Sequence, residues 1–88
     1  MRQSGRTTKQ IIEAPRDAVF VWCANDLDYP RRLAKSFQRE DLTIVGPTWI
    51  TDERWRGAKL TGIVVDHFTR FNMAEWESYL QALTRVRP

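Results

Sequence analysis

The sequence predicts an α/β domain, a small three-layer sandwich in which a mostly parallel three-stranded sheet is flanked by helices. Three observations carry this. Ala18-Val19-Phe20-Val21-Trp22-Cys23 and Gly62-Ile63-Val64-Val65 are apolar without alternation, as in strands covered on both faces. A stretch with helical spacing connects the first strand to Leu42-Thr43-Ile44-Val45-Gly46. A connection of about 19 residues suits a right-handed βαβ unit, which makes those two strands parallel.

Residues 1–6 have no periodicity and read as a loose arm. Thr7 is placed to cap a short helix, with Gln10 three residues on completing a capping box. Pro15 ends that helix near Glu13 or Ala14. After the first strand, Asn25-Asp26-Leu27-Asp28 supplies turn and cap residues, and Pro30 is tolerated in the first turn of the next helix. Pro30, Leu33, Ala34 and Phe37 share one face of that helix, while Arg31, Lys35 and Arg39, with Arg32 beside them, give it a basic outer side.

The second strand stops at Gly46-Pro47. Residues 48–60 fit either a short helix ending at Gly57 or an irregular loop with Trp49 and Trp55 against the sheet. The third apolar run is expected to be the central strand, with Asp66 and His67 at its carboxyl end, where open α/β sheets bind ligands. Asn72 and Glu75 form a second capping box with Phe71 and Trp76 as its staple. Met73, Trp76, Leu80 and Leu83 then lay an apolar face on the sheet along a helix from 73 to about 86.

With 88 residues there is room for a single domain spanning 1–88. No apolar run is long enough for a membrane span and no apolar core of a signal peptide follows the start, so a cytoplasmic protein is expected. Cys23 and His67 are the sole cysteine and histidine, which excludes an internal disulfide and a Cys/His zinc cluster. Cys23 reads as a small buried hydrophobe rather than a nucleophile. His67 has no orienting partner in the sequence and reads as structural or merely exposed. The net charge of +3 leans towards acidic or nucleic-acid partners.

Gly5-Arg6-Thr7-Thr8 followed by a helix and a buried strand, and later Ile63-Val64-Val65-Asp66-His67, resembles the core of a P-loop NTPase of the helicase or terminase kind. The resemblance implies a phosphate site at Gly5, Arg6, Thr7 and Thr8, a magnesium-binding acid at Asp66, and ATP with magnesium as ligands. The start is also similar to that of small tailed-phage proteins, which implies an inhibitor or adaptor acting on a host or defence nucleoprotein such as a CRISPR effector. The phosphate loop reads G-x-x-x-x-G-K-[ST], and counting back from Gly5 puts its first glycine before Met1, while Arg6 stands where lysine is usual.

Each of these residues also has a plain structural reading. Gly5 to Thr8 can be an ordinary helix start, and Asp66 can cap the loop after its strand. Trp49 and Trp55 suit core or interface equally. Since phosphoryl transfer depends on positioning, the leading expectation is a binding protein rather than an enzyme, without a cofactor. It docks on an acidic or nucleic-acid-binding complex, or on nucleic acid itself, through Arg31, Arg32, Lys35, Arg39, Trp49, Arg54, Trp55, Arg56 and Lys59. Nucleotide binding at Arg6, Thr7 and Asp66 is the alternative, and non-specific nucleic-acid binding a third.

Overall fold

The computed structural model describes residues 3–86. Helix α1 (Gln3–Glu13) leads into strand β1 (Val19–Val21), followed by α2 (Asp28–Ser36), β2 (Thr43–Val45), α3 (Pro47–Thr51), β3 (Ile63–Val65) and α4 (Met73–Leu83). The strands form one parallel sheet in the order β2-β1-β3, with Phe20 level with Ile44 on one side and Val64 on the other.

Alternation along the strands divides the core in two. Phe20, Ile44 and Val64 point to the layer that holds α1 and α2, where Ile11, Ala14, Ala18, Ala34 and Leu42 close around them. Val19, Val21, Val45, Ile63 and Val65 point to the opposite layer, where they meet Ile50 of α3, Trp55, Leu60 and Ala82 of α4. The result is the three-layer α/β sandwich the sequence predicts.

The position of β3 corrects the sequence reading. β1 is the central strand, and all three of its residues are buried, whereas β3 lies at the edge and its residues are only half-buried. Both runs are apolar enough to be central, so composition does not rank them. The crossovers do: the β1–β2 connection goes to one side of β1 and the β2–β3 connection passes to the other.

Local chemistry explains the joints. Helix α2 ends in a Schellman motif, in which the Gln38 N–H donates to Lys35 O at 3.0 Å and the Arg39 N–H to Ala34 O at 2.8 Å. The residue held left-handed there is Gln38, with φ of 59°, a position that glycine usually fills. Gly46 ends β2 because the chain comes very close to its neighbour, and a Cβ at this position would lie 3.0 Å from the Ala24 carbonyl oxygen. Pro47 then takes the first turn of α3, which is five residues long, and the chain turns irregularly to Gly57 at φ of 76°. Residues 48–60 therefore combine both readings, a short helix and then a loop. At α4 the capping box forms as the sequence predicts, Glu75 N–H to Asn72 Oδ1 at 2.8 Å and Asn72 N–H to Glu75 Oε1 at 2.9 Å. The Phe71 and Trp76 rings lie 6.2 Å apart across it.

The face of α4 is the second correction. Met73, Trp76, Leu80 and Leu83 do not lie on the sheet: they are 76%, 48%, 46% and 38% exposed. The helix packs instead through Ala82 and Tyr79. Helical spacing shows that a face is apolar, not what covers it.

Candidate functional site

The carboxyl ends of β1 and β3 gather the residues that carry chemistry. Helix α1 crosses this end of the sheet, and the side chain of Thr7 and that of Asp66 are both buried, at 2% and 1% exposure. The Thr7 hydroxyl donates to Asp66 Oδ1 at 2.9 Å. Asp66 Oδ2 accepts the Phe68 N–H at 3.0 Å, so each carboxylate oxygen has a donor. The strand fixes the residue from behind, since the Asp66 N–H donates to Val21 O at 2.9 Å.

Gln10, one turn along α1 from Thr7, continues the contact. Its Nε2 donates to Val65 O at 2.9 Å, which orients the amide and leaves Oε1 as an acceptor. Oε1 accepts the His67 N–H at 3.1 Å and lies 3.2 Å from Nδ1. With Oε1 an acceptor, Nδ1 is the ring nitrogen that donates to it. Nε2 is buried without a hydrogen-bond partner among the described residues, as is the hydroxyl of Thr69 two residues on. Buried polar atoms are seldom left so.

Gln10 and its hold on His67 are the part of the site that sequence reasoning missed. The Thr7-x-x-Gln10 spacing is that of a capping box, but α1 begins at Gln3, so both residues lie in the body of the helix and reach across to β3. The loose arm is corrected in the same way: of residues 1–6, those from Gln3 onward are helical and Met1 and Arg2 lie outside the described residues. His67 is not a merely exposed histidine. Cys23 is exposed rather than buried, and partial burial of the thiol, with the negative charge of Asp66 nearby, pushes its pKa up. It stays a thiol at neutral pH, consistent with no nucleophilic role.

The fit of a phosphate ligand with magnesium can be tested on these residues. A threonine hydroxyl and a carboxylate side by side are the hard oxygen donors this cation takes. The cradle fits less well. Gly5, Arg6 and Thr8 are wound into α1, and a Cβ on Gly5 would meet nothing within 4 Å, so no tight loop requires the glycine. The amides free for an anion are those of the helix's first turn, Gly5 among them. No group of three or more His, Cys, Asp or Glu side chains among the described residues could hold a metal by itself.

The residues expected to dock a partner separate into several kinds. Arg31, Arg32 and Lys35 are exposed on α2, with Arg32 paired to Asp28 at 2.6 Å. Arg31 and Lys35 border an open cleft of about 400 Å³ between α2 and the outer edge of β2. Arg39 is not part of that free surface. Its guanidinium makes a double ion pair with Asp41, both contacts at 3.0 Å, and donates to the carbonyls of Ile11 and Ile12 at 2.9 Å and of Pro15 at 3.2 Å.

Trp55 is corrected as well. It is 1% exposed, its Nε1 donates to Ile50 O at 3.2 Å, and Arg56 and Arg85 cover its ring at 5.3 and 5.9 Å. It belongs to the core, not to a docking surface. Trp49 is half-buried in the same layer. Arg54, Arg56 and Lys59 are exposed, but their segment packs on the opposite face of the sheet from α2. The two basic groups therefore do not form one patch. Comparison of the chain with protein-family models, curated proteins and solved structures returns no match.

Proposed function

We propose that the chain is a phosphate-ligand-binding domain of the P-loop-like kind, taking a nucleotide with magnesium at the carboxyl end of its sheet. The supporting observation is the buried hydrogen bond from Thr7 to Asp66. These residues are 59 positions apart, and the resemblance assigns Thr7 to the phosphate site and Asp66 to the cation. In this reading Thr7 and Asp66 hold the cation, which would neutralise phosphate charge. The first-turn amides of α1 and the exposed Arg6 supply positive potential to the phosphates. His67 is held beside Asp66 by Gln10.

This ordering places nucleotide binding ahead of surface docking, because Trp55 and Arg39 are already engaged within the fold. It claims binding and leaves hydrolysis aside. Calorimetric titration with ATP and magnesium tests it. Micromolar affinity is expected, weakened at least tenfold in Thr7→Ala and in Asp66→Asn and largely kept in Thr7→Ser, each variant being shown folded by circular dichroism. Absence of binding by the folded wild-type chain at millimolar ATP would sink the proposal.

A second reading, a phage-type inhibitor or adaptor that docks through α2, is favoured by one observation: Arg31 and Lys35 flank the cleft and make no ion pair among the described residues. The double variant Arg31→Glu, Lys35→Glu would then lose retention on a polyanion resin while remaining folded. Unchanged retention removes this reading.

A further inference from the structure

The apolar stripe on α4 calls for a cover. Met73, Trp76, Leu80 and Leu83 follow one another at intervals of three, four and three residues, the spacing at which one helix seats another. All four are exposed in a body whose radius of gyration, 12.3 Å, is that of a fully collapsed chain of this length, about 12 Å. The exposure is therefore not a sign of loose folding. The stripe also continues into an aromatic cluster: the Phe71, Trp76 and Tyr79 rings lie 5.5 to 6.2 Å apart beside an open cleft that Val65, Thr69 and Arg70 complete.

We propose that this face seats a second copy of the chain, the two α4 helices crossing antiparallel about a twofold axis. The spacing is nearly symmetric about residue 78, so an antiparallel pairing sets Met73 of each copy against Leu83 of the other and Trp76 against Leu80. Taking large side chains at roughly 150–250 Å² each, the four expose on the order of 400 Å². That is close to the apolar share of the ~800 Å² that each partner contributes to an ordinary stable interface, of which about 60% is apolar.

The dipoles agree with the direction, since antiparallel crossing opposes them. Arg70 precedes α4, is exposed and makes no ion pair among the described residues. Arg85, also exposed, follows the cap of α4 at Thr84. The symmetry about residue 78 sets Arg70 of one copy beside Arg85 of the other, a like-charge contact that limits the strength of the dimer. An isologous contact of this kind closes on itself as a dimer rather than growing into a fibre. It uses neither Thr7 nor Asp66 and stands apart from the phosphate site.

Sedimentation equilibrium of the full chain tests the proposal. A reversible dimer is expected at micromolar concentration, weakened at least tenfold by Leu80→Glu and by Met73→Glu. Met73 is so exposed that its substitution leaves the fold intact, which circular dichroism would verify. Ile12→Ser, an exposed apolar residue on α1, should leave the dimer unchanged. Arg70→Glu, which turns that contact into an opposite-charge pair, should tighten it, and an unaltered dimer in this variant overturns the antiparallel arrangement. A wild-type chain that stays monomeric to several hundred micromolar, or a dimer indifferent to both stripe substitutions, overturns the proposal as a whole.

Discussion

Arg39 shows how much one side chain can hold. It closes the C-terminal end of α1, which has no basic residue in its last turn, by donating to the carbonyls of Ile11 and Ile12, and it ties the same end to the loop that carries Asp41. Loss of these partly buried hydrogen bonds in Arg39→Ala should cost roughly 2–3 kcal/mol of stability by urea denaturation. Lysine restores the charge but not the fork, so Arg39→Lys should recover only part. The guanidinium, with the Asp17 N–H at 2.7 Å as a second donor, holds the Asp41 carboxyl well below the usual carboxylate range. A depressed carboxylate contributes stability above its unfolded pKa of about 3.9 and loses it as the pH falls towards the folded value. The urea midpoint should therefore drop more steeply below about pH 4 in the wild type than in Asp41→Asn, where that contribution is absent at every pH. Arg39 was legible in the sequence as one member of a basic stripe. Its carbonyl partners were not, because they lie 24 to 28 residues earlier in the chain and only the packing of α1 beside α2 brings them near.

At the scale of the element, features that close on themselves within a few residues were readable and those that depend on a distant partner were not. The capping box at Asn72 and Glu75 forms as its spacing predicts, since both partners belong to one turn of helix. The similar signal at Thr7 and Gln10 does not form a cap. Three-residue spacing also puts two side chains on one helix face, and here that face meets β3. The end of α2 offers a test of local strain. Gln38 adopts a left-handed conformation that costs a side-chain-bearing residue about 1 kcal/mol, while its N–H is satisfied by the Schellman bond. Gln38→Gly should stabilise the domain by roughly 0.5–1 kcal/mol, seen as a higher urea midpoint with an unchanged slope.

For the molecule as a whole, the fold class was legible because strands buried on both faces have a distinctive composition. The strand order was not, since β1 and β3 are equally apolar and only the path of the crossovers places one of them centrally. Hydrogen exchange should register the difference. The N–H groups of Val19 and Asp66 both serve the β1–β3 ladder, so both are freed when the half-buried rim strand β3 opens, whereas the Trp22 N–H donates to Val45 O at 2.8 Å on the β2 side. The Trp22 amide should exchange only on global unfolding, and those of Val19 and Asp66 through local opening at least tenfold faster. A uniform rate across the sheet would show that β3 opens no more readily than its neighbour.

The division of the interior by a sheet three residues deep has a further effect. Side chains that alternate along β1 serve two separate clusters, Phe20 one and Val19 with Val21 the other. Sequence drift on one side of the sheet therefore passes little burden to the other, so a lineage could remodel the layer bearing the exposed helix and acquire a new associate while the layer bearing Thr7 kept its inheritance.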